Sequence, residues 1–240
     1  MKELTRFDLE LALDNCASLT GDREFIVVGS VSILGAKPQA AGALTVSADI
    51  DLFPRFNESG DKNELIEKHF GAGSRFELEN SFYIEGVGSW TMMTSPEGWE
   101  NRMIPIISPA GVTGWCLDPF DLAYNKLEAG REKDIQYVAE MVRSDITPEL
   151  SLATFLRQHA PNQEVLRNLE ENLRRVKVAV MGGEASQQAS TQTAPMVSES
   201  SCIASGIETP RGPIQRSPNP APLDQPQKHL KPSQGCRIGM

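Results

Sequence analysis

The chain has 240 residues, of which 40% are hydrophobic and 23% are charged, and this is long enough for one substantial core with or without an appendage. No apolar run approaches the ~20 residues of a membrane-spanning helix, and the charged N-terminus lacks the apolar centre of a signal peptide, so we expect a cytoplasmic protein with no membrane partner. The formal net charge of −9 argues against a general nucleic-acid binder, which usually carries a basic field.

The first half of the chain is predicted to mix helices and strands. Apolar residues at helical spacing predict helices, which cover 4–19, 30–35 and 63–70. Short apolar or alternating runs predict strands, which cover 24–28, 48–53, 82–87, 102–107 and 112–117. The fold class expected from this order is α+β, with a mixed sheet and flanking helices.

The pattern becomes helical from Asp118, which can cap a helix with Pro119 at its first position. Thr147 and Pro148 repeat this start signal. Asn162 precedes a long helix that is predicted to end near Met181, with its apolar residues on one stripe. The sequence therefore predicts a helical C-terminal part after the sheet.

Composition changes at residue 182. The segment 182–240 contains no Phe, Trp or Tyr and holds eight of the 16 prolines, together with many Ser and Gln. Such a segment buries too little apolar area to offset its chain entropy, so we predict a disordered tail. The tail is either a neutral extension or a linker to a partner-binding motif.

The most informative segment runs from Phe25 to Asp51. An apolar run ends in Gly29-Ser30, and a later strand carries Asp49 and Asp51 two positions apart, so both carboxylates face the same way. A glycine turn before a helix offers backbone N–H groups to a phosphate. Paired carboxylates repel each other unless a cation lies between them, and Mg²⁺ prefers such oxygen ligands. These parts suggest metal-dependent handling of a nucleoside triphosphate. The alternative for Gly29-Ser30 is a plain strand-to-helix connection. The alternative for Asp49 and Asp51 is a half-exposed strand with two solvated acids.

Gly-Ser followed by Asp-x-Asp resembles the signature of the DNA polymerase β-type nucleotidyltransferase superfamily. The block CLDPFDLAYNKLEAGREKDIQYVAEMV (116–142) is similar to the C-terminal motif of a bacterial branch related to abortive-infection nucleotidyltransferase toxins, of the type IV toxin–antitoxin class. The segment SFYIEGVGSWTMMTSPEGWENRMIPI (81–106) resembles the middle of stand-alone proteins of that branch. The resemblance covers roughly 24–142. Together with the predicted elements it leads us to expect a nucleotidyltransferase-like domain over 1–145, with helices 146–181 packing on it.

The resemblance also implies roles for individual residues. Asp49, Asp51 and Lys126 would be catalytic, with the two aspartates holding Mg²⁺ or Mn²⁺. The triphosphate would be bound by Gly29 and Ser30 and by the Lys-x-x-x-x-Arg-x-Lys-Asp motif, whose later members are Arg131, Lys133 and Asp134. Lys133 would share the helix face of Lys126 if that helix continued through Gly130. For Arg131 and Lys133 the alternative is a solvated helix surface.

A third metal ligand is expected from a later strand. The candidates are Glu77, Glu79 and Glu85, with Glu77 and Glu79 predicted to share a strand face. We select Glu85, because it follows aromatic residues with strand character and so would be held by a rigid element.

Two main hypotheses for function follow. The first is an enzyme that transfers a nucleoside monophosphate from an NTP to a tRNA end, a protein hydroxyl or a small molecule, as a toxin or phage-defence component. The second is a degenerate fold that binds nucleotides without turnover or acts as an antitoxin-like interaction module with a cognate partner protein. Fold analogy alone does not choose between them.

Overall fold

The computed structural model describes residues 1–57 and 59–191. The strands in these residues are β1 (Lys2–Glu3), β2 (Glu24–Val27), β3 (Val46–Ser47), β4 (Asp49–Pro54), β5 (Tyr83–Gly86), β6 (Ile104–Ile107) and β7 (Thr113–Cys116). The α-helices are α1 (Arg6–Thr20), α2 (Ile33–Ala36), α3 (Asp61–Phe70), α4 (Arg75–Asn80), α5 (Pro119–Ala129), α6 (Glu132–Arg143), α7 (Glu149–His159) and α8 (Gln163–Thr191). Short 3₁₀ turns are Ser30–Ser32, Gly42–Leu44, Ser89–Met92 and Trp99–Asn101.

A five-stranded mixed sheet forms the centre of the fold, in the order β5-β4-β2-β7-β6. β4 pairs with β5 in parallel and with β2 in antiparallel orientation, while β2 and β7 are parallel and β7 and β6 antiparallel. β1 and β3 form a separate antiparallel pair. The predicted α+β fold, a mixed sheet with flanking helices, is therefore confirmed.

The two faces of the sheet have different environments. On β4, Ile50 and Leu52 are fully buried, whereas Asp49 and Asp51 point to the opposite face and are half-buried. The helices α1 and α2 approach β7 closely on the apolar side. A Cβ added at Gly114 would lie 2.8 Å from a Leu13 methyl group, so glycine permits this approach.

Helix α1 begins two residues later than predicted. Thr5 caps it: its hydroxyl accepts a hydrogen bond from Asp8 N, and the Asp8 carboxylate accepts one from Thr5 N. Leu4 lies outside the helix because its N–H donates to Thr45 O at 2.9 Å. The helix ends at Gly21 in the left-handed conformation (φ 78°).

The helical C-terminal part is also confirmed, with one correction. Asp118 caps α5 as predicted and accepts a hydrogen bond from Phe120 N. However, α5 ends at Gly130, which has φ 61°, and α6 starts anew at Glu132. The condition for Lys133 to share the helix face of Lys126, a helix that continues through Gly130, is therefore not met.

Helices α7 and α8 pack on α5 and α6. The Asn172 side chain of α8 donates to Leu127 O at 2.8 Å, and Arg175 donates to Gly130 O at 2.9 Å, so α8 closes the junction between α5 and α6. The division into a 1–145 domain and 146–181 helices stays a prediction. Within the described residues, no helix is long and apolar enough to cross a membrane.

One predicted element type and the end of the last helix also differ from the structure. Glu77 and Glu79 lie on helix α4 rather than on a strand, because Ser74 caps that helix and accepts a hydrogen bond from Glu77 N at 3.2 Å. Helix α8 ends at Thr191 rather than near Met181, since Ala, Glu and Gln follow the two glycines and favour helix. The rest of the predicted disordered tail, 192–240, lies outside the described residues.

Candidate active site

Three carboxylates come together on the open face of the sheet. Asp49 and Asp51 lie on β4 and Glu85 lies on β5, where the parallel register places it opposite Asp51. One carboxylate oxygen from each lies within 4.8 Å of the others. Ser47 Oγ donates to Asp49 Oδ1 at 2.5 Å and holds that carboxylate in place. A cluster of hard oxygen donors at this spacing fits a divalent cation such as Mg²⁺.

The cluster is electrostatically unfavourable without a cation. Burial raises the pKa of Asp51 to about 7, and the charges of Asp49 and Glu85 act in the same direction. Lys126 and Lys133 oppose this rise. Burial also raises the pKa of Glu85, with Asp49 as the first contributing charge. A bound cation would relieve this repulsion, which is a second reason why these residues fit a metal.

The Gly29-Ser30 turn lies directly against the carboxylates. Val28 N donates to Asp51 O at 3.0 Å, and Gly29 follows with φ 65° and ψ −164°. A Cβ added at Gly29 would lie 2.2 Å from Asp51 Oδ2. Only glycine allows both this backbone conformation and this contact, so the predicted phosphate turn is held next to the predicted metal ligands.

Lys126 connects this turn to the second block of sequence. Its Nζ donates to Ser30 Oγ at 2.9 Å and to Asp134 Oδ1 at 3.2 Å. Arg131 Nε donates to the other oxygen, Asp134 Oδ2, at 2.6 Å. Tyr137 OH donates to Ser30 O at 2.8 Å, and Lys126 Nζ lies 4.5 Å from the centroid of the Tyr137 ring.

The burial of this network differs from residue to residue. The Asp134 side chain is 1% exposed and that of Lys126 is 12% exposed, whereas that of Arg131 is 62% exposed. Burial lowers the pKa of Lys126, and the Asp134 carboxylate acts against that fall. Asp134 therefore fixes Lys126 at the turn, and Arg131 remains accessible from solvent.

All eight of the other predicted site residues and Glu85 line one cavity of about 720 Å³. They are Gly29, Ser30, Asp49, Asp51, Lys126, Arg131, Lys133 and Asp134. Such a cavity can hold a metal ion and an anionic ligand side by side. Glu77 and Glu79 do not contribute to the wall: Glu77 accepts from Gly73 N, and Glu79 pairs with Arg75.

Sequence reasoning missed several contributors to the site. Ser47 supports Asp49, and Tyr137 supports both the turn and Lys126. Two signals could have indicated them: Ser47 alternates with Asp49 and Asp51 along the chain, and Tyr137 lies three residues after Asp134, on the same side of a helix. The cavity wall formed by Thr91, Met92 and Asn125 carried no comparable signal.

The sheet, the carboxylate pair and the Gly-Ser turn together define a nucleotidyltransferase-like domain. Residues 4–181 match the model of the family described as "Nucleotidyltransferase of unknown function (DUF6036)". The chain belongs to this family. Comparison with curated proteins and with solved structures gave no match.

Proposed function

We propose that the protein is a nucleotidyltransferase that uses Mg²⁺ or Mn²⁺ and moves a nucleoside monophosphate from an NTP to an acceptor hydroxyl. The observation that carries this proposal is the completed triad: Asp49, Asp51 and Glu85 bring oxygens within 4.8 Å of one another beside a glycine turn. A degenerate domain has no need to keep three mutually repelling carboxylates together. Glu85 therefore favours the enzyme over the nucleotide-binding module without turnover.

The acidic and the basic residues of the site would have different roles. Asp49, Asp51 and Glu85 would hold the divalent cation, which when bound supplies charge neutralisation at the triphosphate. The N–H groups of the Gly29-Ser30 turn would face the phosphates. Lys126, aimed at the turn by Asp134, would balance the negative charge that develops on the leaving pyrophosphate.

Arg131 and Lys133 complete the positive side of the cavity. Within the part of the chain that the structure describes, Arg131 holds Asp134 through Nε, and its exposed side chain offers the other guanidinium nitrogens to a phosphate. Lys133 is exposed, lines the cavity, and its charge acts on Asp51. Both residues would bind the triphosphate from the solvent side.

In the transfer step the acceptor oxygen attacks the α-phosphorus of the NTP. The bond from that phosphorus to the bridging oxygen of the β-phosphate breaks, and pyrophosphate leaves with the electron pair. The hydroxyl proton is taken up by a carboxylate of the triad. Positioning and electrostatic stabilisation supply most of the catalysis in phosphoryl chemistry of this kind.

For the acceptor, a tRNA end, a protein hydroxyl and a small molecule remain the candidates. The charge of the chain favours a protein hydroxyl or a small molecule. Most lysines and arginines in the described part of the chain are held in ion pairs, as between Arg55 and Glu24, Lys62 and Asp22, and Lys177 and Glu149. A long nucleic acid needs a field of free cations, and the net charge of −9 opposes it.

The test is transfer of label. Purified protein with Mg²⁺ or Mn²⁺ is incubated with each α-labelled NTP and with total tRNA or cell lysate. An Asp49→Ala/Asp51→Ala double variant is the matched control. Label on a macromolecule or small product with the intact protein, and none with the variant, supports the proposal. Equal labelling by both proteins, or no transfer from any NTP by folded protein, contradicts it.

A role in growth control or phage defence with a cognate partner protein is part of the same proposal and is motivated by the resemblance to abortive-infection toxins. If it is correct, induced expression in bacterial cells slows growth, and expression of the Asp49→Ala/Asp51→Ala variant at the same level does not. Equal growth of the two cultures would remove this part of the proposal while leaving the transfer reaction in place.

A further inference from the structure

Ser47 presents a hydroxyl group directly to the carboxylate triad. It lies on β3, two residues before Asp49, is half-buried and lines the cavity. Its Oγ donates to Asp49 Oδ1 at 2.5 Å, a distance typical of a hydrogen bond to a charged oxygen. The proposed transfer needs an acceptor hydroxyl that gives its proton to a carboxylate of the triad. Ser47 places such a hydroxyl inside the protein itself.

The other hydroxyl groups of the cavity wall have partners outside the triad. In the described part of the chain they are those of Ser30, Thr91, Thr94 and Tyr137. Two of them donate to backbone carbonyl oxygens, at Gly88 and Ser30, and a third donates to Glu128. The fourth, Ser30 Oγ, accepts from Lys126. Of the hydroxyl groups in the described cavity wall, that of Ser47 is therefore the one hydrogen-bonded to a triad carboxylate.

The backbone around Ser47 is held on both sides. β3 pairs with β1. Leu4 N donates to Thr45 O at 2.9 Å on one side of Ser47, and Tyr83 N donates to Ala48 O at 2.9 Å on the other. The Ser47 hydroxyl therefore stays beside the triad of its own chain, and a reaction at this hydroxyl takes place within one molecule.

The phosphate turn contacts a different member of the triad. A Cβ added at Gly29 would lie 2.2 Å from Asp51 Oδ2, whereas Ser47 hydrogen-bonds to Asp49. Lys126, which would balance the charge of the leaving pyrophosphate, is hydrogen-bonded to the turn. In phosphoryl transfer the entering and leaving oxygens lie roughly in line, on two sides of the phosphorus. The separate contacts of Ser47 and of the turn with the triad fit this arrangement.

We propose that Ser47 is a site of self-nucleotidylation. This inference rests on the proposed nucleotidyltransferase function. Ser47 Oγ forms a bond to the α-phosphorus of the NTP, and the bond from that phosphorus to the bridging oxygen of the β-phosphate breaks. Pyrophosphate leaves with the electron pair, and the hydroxyl proton passes to Asp49. The product is a nucleoside monophosphate ester of Ser47 that occupies the cavity beside the triad.

The experiment follows label on the protein itself, with no acceptor added. The full chain is incubated with Mg²⁺ or Mn²⁺ and with each NTP in turn, labelled at the α- or the γ-phosphate, and the modified residue is located by tandem mass spectrometry. Ser47→Ala removes the hydroxyl and Ser47→Thr keeps it. Ser89→Ala is the matched control, because Ser89 is an exposed serine that does not line the cavity.

A mixing experiment tests whether the reaction stays within one chain. The wild type is mixed with an Asp49→Ala/Asp51→Ala variant that carries a tag to separate the two proteins on a gel. This variant keeps Ser47 but lacks two carboxylates of the triad. We expect α-label on the wild type and none on the tagged variant, with a rate per chain that does not change with protein concentration.

The expected label has a defined site and amount. The wild type should carry about one nucleoside monophosphate per chain, on Ser47, and no γ-label, because the γ-phosphate leaves in pyrophosphate. Ser47→Ala should lower incorporation at least about tenfold, since the attacking oxygen is gone. Ser47→Thr should carry the label at position 47, and Ser89→Ala should be labelled like the wild type.

The outcomes that overturn the inference are distinct from those that overturn the proposed function. The self-nucleotidylation of Ser47 is overturned by α-label on another residue, by γ-label on Ser47, or by label on the tagged double variant. Absence of self-labelling in a protein that transfers nucleotide to tRNA or to a lysate component also overturns it and leaves the proposed function intact. Absence of both kinds of transfer by folded protein overturns the proposed function and this inference with it.

Discussion

Replacing Asp51 by asparagine is expected to stabilise the protein at neutral and alkaline pH. In the folded chain the pKa of Asp51 is raised from its ordinary value of 3.8 to about 7, mainly by burial and then by Asp49 and Glu85. Between about pH 4 and pH 7, Asp51 is therefore mostly protonated in the folded state and mostly ionised in the unfolded state. The free energy of unfolding falls as pH rises through this window, and the loss is complete above the folded pKa.

The size of this effect follows from the shift. The rise of about 3 in the pKa of Asp51 corresponds to roughly 4 kcal/mol, at about 1.36 kcal/mol for each pKa unit. This value is an upper limit, because neighbouring carboxylates share the titration. The asparagine side chain of the Asp51→Asn variant carries no charge at any pH. The stability difference between Asp51→Asn and wild type is therefore expected to grow by about 2–4 kcal/mol from pH 4 to pH 8.

Urea denaturation followed by circular dichroism, with a chelator present, measures this difference. Glu79→Gln is the control, because Glu79 is an exposed acid in a helix ion pair with Arg75. Addition of Mg²⁺ at pH 8 is expected to stabilise the wild type and to have much less effect on Asp51→Asn. A difference between Asp51→Asn and wild type that does not change with pH would refute the reasoning.

Three further substitutions test other parts of the structure. Gly29→Ala is expected to abolish nucleotide transfer and to cost at least about 1–3 kcal/mol of stability, because the new Cβ meets a carboxylate oxygen at 2.2 Å; unchanged transfer would contradict this. Asp134→Asn leaves Lys126 without its buried counter-charge, so we expect a loss of roughly 3–5 kcal/mol in urea denaturation and weaker tripolyphosphate binding. Arg102→Met leaves the fully buried Asp121 unpaired, so a similar loss of about 3–5 kcal/mol is expected. The nucleotide affinity of Arg102→Met at low temperature should equal that of the wild type. A lower affinity would show that the ion pair between Arg102 and Asp121 shapes the cavity.

Much of the fold could be predicted from local patterns. Alternation placed Asp49 and Asp51 on one face of a strand, and Asp118-Pro119 marked the start of α5. The strand face predicted for Glu77 and Glu79 was wrong, because the Ser74 cap starts a helix over these residues. Gly130 ends α5 as a C-cap in the left-handed conformation, and the sequence analysis left open whether the helix continued through it.

The site was predictable where its parts lie close in sequence. Glu85 was selected by its strand character, but its position opposite Asp51 depends on the parallel register of β4 and β5, which no local pattern encodes. The ion pair of Lys126 with Asp134 forms because the chain changes direction at Gly130, between α5 and α6. That Asn125 Oδ1 has no hydrogen-bond partner among the described residues becomes visible only when burial and hydrogen bonds are known.

The central claim is that carboxylates from two strands form one metal centre, and Mn²⁺ binding followed by electron paramagnetic resonance tests it most directly. We expect the wild type to bind Mn²⁺, with tighter binding in the presence of an NTP. Glu85→Gln should weaken binding by more than about tenfold and Asp49→Ala/Asp51→Ala should abolish it, while Glu79→Gln should leave it unchanged. Equal Mn²⁺ binding by the wild type, Glu85→Gln and the double variant would contradict the claim.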